Sequence, residues 1–123
     1  MYELAIESQF DSAHNIRRHG GPCESLHGHT YRVQVFYKGS EINDIGVLLD
    51  FKKMKAALND VIFYFDHHYL NELPEFRDAN PTAECLSKEI FQKMRAALGE
   101  GVSKVTVWET ATSSASYYET IDE

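Results

Sequence analysis

Cys23-Glu24-Ser25-Leu26-His27-Gly28-His29 places a thiol and two imidazoles within seven residues. It runs into Thr30-Tyr31-Arg32-Val33-Gln34-Val35-Phe36-Tyr37, a β-branched and aromatic run that reads as a strand. Alternate side chains of an extended segment share a face, so His27 and His29 project together. Gly28 between them adds no side chain. Two imidazoles with no carboxylate between them suit a borderline metal such as zinc. His14, near the end of the preceding run, is the candidate third ligand, because an antiparallel neighbour would bring it alongside. Three histidines leave a fourth position open, the catalytic rather than the structural arrangement. A His-x-His pair alone is more often an ordinary surface pair. The upstream histidine and the nearby cysteine tilt the reading towards a metal.

Upstream of this stretch, Tyr2, Leu4 and Ile6 alternate with Glu3 and Glu7, which predicts a half-buried strand over 2–14. Residues 15–22 hold Gly20, Gly21 and Pro22 and form a loop, and the second strand is expected from about Leu26 to Tyr37. Downstream, Asp50 caps a helix whose apolar face is Phe51, Met54, Leu58, Val61, Ile62 and Phe65. A second helix is expected to start at Asn80-Pro81, with Asn as cap and Pro in the first helical position. Its apolar face is Leu86, Ile90, Met94, Ala97 and Leu98, and Gly99 ends it. Val102 to Glu109 reads as a third strand and Ser114 to Thr120 as a fourth. The order strand-strand-helix-helix-strand-strand predicts an α+β fold, a four-stranded antiparallel sheet with both helices packed on one face. A small sheet of this kind leaves edges, which such domains hide by assembling with copies of themselves.

The chain of 123 residues makes one domain, 1–123, large enough to bury about two-thirds of its unfolded surface. No apolar run approaches the ~20 residues that cross a bilayer, and the N-terminus lacks the pattern of a signal peptide. No membrane partner and a cytoplasmic location are therefore expected. Twelve basic against nineteen acidic residues give a formal charge of −7, which disfavours nonspecific nucleic-acid binding. A reducing compartment argues against a bridge between Cys23 and Cys85, and Cys85 reads as a small core residue of the second helix.

Other residues carry chemistry. Cys23 lies four residues before His27, at the rim of the expected metal site. A thiol near a cation can serve as a thiolate base or nucleophile, or it can be the fourth ligand that closes a structural site. Asp66-His67 sits in the long connection between the helices and supplies a carboxylate–imidazole pair for a proton relay. Glu109, at the end of a strand with Val105 and Val107 on its face, can anchor a ligand with paired N–H donors or be a strand-end charge. Thr82 and Glu84 are open to the same two readings, as ligand contacts or as helix capping and dipole compensation.

Together, His14, Cys23-x-x-x-His27-Gly28-His29, Asp66-His67-His68-Tyr69-Leu70-Asn71, Asn80-Pro81-Thr82 and Trp108-Glu109-Thr110 resemble the 6-pyruvoyl-tetrahydropterin synthase family. The short Cys-to-His spacing is most similar to its 6-carboxy-tetrahydropterin synthase branch, of the queuosine pathway. The resemblance spans about residues 4–119. It implies a tunnelling fold (T-fold) whose barrel closes by oligomerisation, as a homohexamer built from two trimers. It implies zinc on His14, His27 and His29, and 7,8-dihydroneopterin triphosphate as substrate. Glu109 would anchor the pterin with help from Thr82, Cys23 would abstract a proton, and Asp66-His67 would relay it. Arg17-Arg18-His19 is where triphosphate contacts are expected. The products would be 6-carboxy-tetrahydropterin, acetaldehyde and triphosphate.

Glu24 complicates this, because a related branch uses a glutamate in that register and forms 6-hydroxymethyl-dihydropterin. Glu24 is accordingly a second base or a loop charge. A 6-pyruvoyl product, a non-catalytic pterin-binding protein and a small zinc-stabilised assembly module are the remaining alternatives.

Overall fold

Strand β1 (Tyr2–His14) pairs antiparallel with β2 (His27–Gly39) along its whole length, from Tyr2 opposite Gly39 to His14 opposite His27. Strand β3 (Val102–Thr110) flanks β2, and β4 (Ser113–Tyr117) flanks β3, so the sheet order is β1-β2-β3-β4. Helices α1 (Phe51–Phe65) and α2 (Ala83–Leu98) both lie in the β2–β3 connection and pack on one face of the sheet. This is a computed structural model, and it describes residues 1–119. The antiparallel α+β architecture is the one the sequence pattern predicts.

The period-two rule decides what sits under the helices. On β1 the buried parity is Ile6, Phe10, Ser12 and His14; on β2 it is Tyr31, Val33 and Val35; on β3 it is Val105 and Val107. Phe10 stacks on Tyr31 with ring centroids 4.9 Å apart. Met54, Leu58 and Phe65 of α1 and Leu86, Ile90 and Met94 of α2 close over these rows. Burying each such side chain stabilises the fold by about 1.5–3 kcal/mol. Carried towards the other end of the strands, the same parity turns polar. It reaches His29 and His27 on β2, Ser12 and His14 on β1, and Glu109 on β3. The metal-type residues are thus the polar continuation of the core face.

The start of α2 differs from expectation. Thr82 is the N-cap, its hydroxyl accepting from the Cys85 amide at 3.1 Å, and the helix begins at Ala83. Asn80 cannot cap because its carboxamide is bonded to the backbone of Arg17. Phe91 joins the buried face of α2, whereas Ala97 is exposed. Gly99, at φ 90°, ends the helix in a conformation that favours glycine. Asp50 caps α1 through the Lys52 amide, but Phe51 in the first turn is 49% exposed and the buried stripe starts at Met54. Strand β4 ends at Tyr117, and Thr120, which the sequence placed in it, lies outside the described residues, as do 121–123.

After α1 the chain turns back along the outer edge of β1. His67 N–H donates to Asp11 O at 2.6 Å and Ala13 N–H to His68 O at 3.0 Å. Asp66-His67-His68 thereby covers the β1 edge at residues 11–13.

Candidate metal centre

The β1–β2 register sets His14 directly opposite His27 and Ser12 opposite His29. The three rings pack edge to face, with centroids 4.5, 5.1 and 4.8 Å apart. His14 is fully buried. Its Nδ1 lies 2.7 Å from Pro81 O, and the Tyr31 hydroxyl approaches the same nitrogen at 3.1 Å. His27 Nδ1 lies 2.7 Å from Ser25 O. A carbonyl oxygen only accepts, so both Nδ1 atoms carry the proton, and in neutral rings both Nε2 atoms are bare lone pairs. Yet His14 Nε2 and His27 Nε2 face each other at 2.9 Å.

Glu109 brings a carboxylate to the same point. Its Oε1 lies 3.2 Å from His14 Nε2 and 3.3 Å from His29 Nε2. His29 Nε2 is buried and has no hydrogen-bond partner. Lone pairs converging on one another and on a carboxylate repel unless a cation or an added proton sits among them. For ligand distances of about 2.0–2.1 Å, the edge of a tetrahedron is about 3.3 Å. The His14–Glu109 and His29–Glu109 spacings match that edge and the His14–His27 spacing is somewhat shorter, so the cluster His14, His27, His29 and Glu109 could hold a metal. Glu109 stands beside the three rings, at the side of the position that the sequence reading leaves open.

The electrostatics agree with this. Burial is the main cause that lowers the His29 pKa below its ordinary value, with Glu109 opposing, so the ring favours its neutral, ligating form. The Glu109 carboxyl is held below the usual range chiefly by a hydrogen bond that needs a proton on His14 Nε2, against the effect of burial, and a metal ion at that nitrogen would supply the same attraction. Burial and Glu109 both raise the Tyr31 phenol, which stays protonated beside His14.

Beside the cluster is a cavity of about 350 Å³ lined by Pro22, Cys23, His27, His29 and Glu109. Cys23 is a free thiol on this wall and is not one of the four clustered donors. Glu24 next to it is exposed and does not line the cavity.

Asp66 and His67 do pair, Oδ2 to Nδ1 at 2.9 Å. The Asp66 pKa is lowered first by the Asp11 amide that donates to it and then by His67. His67 holds a left-handed backbone at φ 55°, a strained conformation for a non-glycine residue, and its side chain is 78% exposed. His67 lines a different depression, with Asp11, Thr30 and Tyr69, that meets the Cys23 cavity only at His29. Within one chain Asp66-His67 and Cys23 do not share a cavity.

Thr82 spends its acceptor on the α2 cap and does not line the cavity. Arg17 is also committed, with its guanidinium donating to the carbonyls of Asn71, Phe76 and Ala79. Arg18 and Arg77 border a separate hollow of about 310 Å³ that Asp78 also lines. The sequence reading missed Tyr31 and Pro81 as partners of His14. Tyr31 was within reach of the parity argument, two residues after His29, whereas a backbone carbonyl leaves no mark in a sequence.

A family model described as 6-pyruvoyl tetrahydropterin synthase matches residues 3–120. The chain belongs to that family.

A relative from Synechocystis sp., named 6-carboxy-5,6,7,8-tetrahydropterin synthase, is 33% identical over 123 residues, covering 96% of this chain and 94% of the relative. One of the same name from Haemophilus influenzae is 28% identical, covering 97% of this chain and all of the relative. The solved structure of the Caenorhabditis elegans 6-pyruvoyl tetrahydropterin synthase superposes with a TM-score of 0.89 over 97% of this chain and 96% of that one. At 22% identity, that likeness shows the fold. The family comprises metal-dependent, typically oligomeric lyases of pterin metabolism, and the chain is an enzyme of that class. No helix among the described residues is long and apolar enough to cross a membrane.

Proposed function

We propose that this chain is a zinc-dependent 6-carboxy-5,6,7,8-tetrahydropterin synthase. It converts 7,8-dihydroneopterin triphosphate to 6-carboxy-tetrahydropterin, acetaldehyde and triphosphate, in cytoplasmic queuosine biosynthesis. The observation that carries this reading is the convergence of three imidazole lone pairs and a carboxylate on the wall of the cavity that holds Cys23. The names of the relatives support the choice of branch. Glu24 is exposed and does not line the cavity, which favours Cys23 over Glu24 as the base.

Zinc, when bound, supplies Lewis-acid polarisation of the side-chain hydroxyls of the substrate. Cys23, on the same wall as His27 and His29, takes a proton from the substrate side chain as a thiolate. Glu109 borders both the cluster and the cavity, so a pterin offering paired N–H donors competes for its carboxylate. Asp66-His67 of the same chain lies outside that cavity, so the relay pair comes from a neighbouring copy. This accords with a hexamer of two trimers in which the edges of β1 and β4 join to close a barrel.

The test is incubation of zinc-loaded protein with 7,8-dihydroneopterin triphosphate and identification of the products by mass spectrometry. The expected result is a 6-carboxy product with equimolar acetaldehyde. A 6-pyruvoyl or 6-hydroxymethyl product moves the chain to another branch. Tight pterin binding without turnover makes it a binding protein.

A further inference from the structure

The β1–β2 ladder fixes His14 against His27 and His29, but it stops at His14. Cys23 is nine residues further on, beyond a loop with Gly20, Gly21 and Pro22, and the ladder says nothing about where it goes. Residues 15–17 carry the chain out of β1 and are half-buried, with backbone groups that need partners. Two side-chain amides provide them. Asn71 Oδ1 accepts the Asn15 N–H at 3.0 Å, and its Nδ2 donates to Asn15 O at 2.9 Å. Two residues on, Asn80 Oδ1 accepts the Arg17 N–H at 2.9 Å, and its Nδ2 donates to Arg17 O at 3.0 Å.

Each carboxamide thus gives one residue both bonds that a neighbouring strand would give, at alternate positions, as a strand does. The residue between them faces the other way, and Ile16 N–H donates to Cys23 O at 2.7 Å. The Asn80 segment continues into Pro81, whose carbonyl holds His14 Nδ1.

We propose that Asn71 and Asn80 are positioning residues that act as a two-rung substitute strand along residues 15–17. They set the metal ligand His14 and the thiol of Cys23 in one register. Asn80 acts at both ends, since it anchors Arg17 and immediately precedes the carbonyl that fixes the His14 tautomer. Asn71 is buried, and the Tyr69 hydroxyl donates to the Asn15 side chain beside it. Arg17 braces the far wall through the carbonyls of Asn71, Phe76 and Ala79. A connection of this length that needed only to reach α2 would not require two bidentate amides on the segment next to a ligand.

The inference rests on the metal reading of the cluster, and its test separates the two. In Asn71→Asp and Asn80→Asp the shape is kept, while the donor to a carbonyl is replaced by an anion facing it. Zinc affinity by chelator competition should fall about 10-fold or more, as for other groups that orient metal ligands. The iodoacetamide alkylation rate of Cys23, read by peptide mass spectrometry, should change severalfold. The control Asn43→Asp, in a loop that accepts from the Ile45 and Val47 amides, should leave both at wild type.

If the two Asp variants lose thermal stability with wild-type zinc affinity and Cys23 reactivity, the amides are merely structural and the inference fails. Should those variants not fold, amide hydrogen exchange on the wild-type protein decides. Asn15 and Arg17 should be protected like the centre of β1, and exchange at loop rates overturns the frame. A wild-type protein that binds no zinc removes the metal reading, while Cys23 alkylation and amide protection still judge the frame.

Discussion

Glu109 Oε1 lies 3.2 Å from His14 Nε2, although the only proton His14 carries is committed to the Pro81 carbonyl on the other side of its ring. A carboxylate and a lone pair do not hold that distance for each other's sake. The relationship makes sense with a cation held beside both groups. It also gives Glu109 two suitors, the ion and a bound pterin.

Glu109→Gln should therefore weaken metal binding as well as turnover. The amide is a poorer ligand and a poorer partner for N–H donors, so zinc affinity should drop about 10-fold or more. Chelator competition on the purified variant checks this. Affinity equal to wild type would confine Glu109 to the substrate.

Tyr31→Phe removes the hydroxyl 3.1 Å from His14 Nδ1 and keeps the ring that stacks on Phe10. The Pro81 carbonyl remains to hold the tautomer. A loss of zinc affinity smaller than that of Glu109→Gln is expected, with a stability cost of about 0.5–1.5 kcal/mol. Parallel chelator titrations and denaturant melts measure the two effects.

Cys23→Ala should abolish turnover and leave the metal in place, because the thiol lines the cavity without belonging to the four-donor cluster. Metal content by elemental analysis and product formation by mass spectrometry read the two properties separately. Loss of both together would put the sulfur in the coordination shell.

Away from the site, Glu75 ties the two helices together. Its carboxylate accepts from Tyr64 of α1 at 2.7 Å and from Lys93 of α2 at 3.0 Å. Burial pushes the Glu75 carboxyl up, but the Tyr64 and Lys93 bonds outweigh it and hold the pKa below the ordinary value. The Tyr64 phenol is correspondingly pushed up to about 12, by burial and by Glu75. With the folded pKa lowered, the unfolded chain binds more protons in the window between the two values, so stability rises with pH there. The contribution is complete above the ordinary carboxylate range and is lost as pH falls through the lowered value. Glu75→Gln should cost about 1–3 kcal/mol at neutral pH, and the gap from wild type should close under acid. Urea melts from pH 7 to pH 3 test it, and a gap independent of pH would count against the charged pair.

The elements of the sheet were legible because parity is local. Val33, Val35, His27 and His29 announce one face of β2 from their spacing alone, and the same rule links Glu109 to Val105 and Val107. What the spacing could not give was competition between partners. Asn80 has the signature of a helix cap, but its carboxamide is claimed by Arg17, a residue 63 positions away, and Thr82 takes the cap. Arg17 reads as a free cation in a basic run until three carbonyls are found around it. Asp66-His67 was legible as a pair, yet its place depends on the path of the chain after α1, along the outer edge of β1. That path puts His67 in a depression that shares only His29 with the cavity of Cys23.

X-ray absorption spectroscopy of the zinc-loaded protein bears most directly on the centre. Three nitrogens and one oxygen at about 2.0–2.1 Å are expected, with no sulfur in the shell. A zinc–sulfur distance near ~2.3 Å would place Cys23 on the ion, and that result would contradict the reading of the thiol as a free base on the cavity wall.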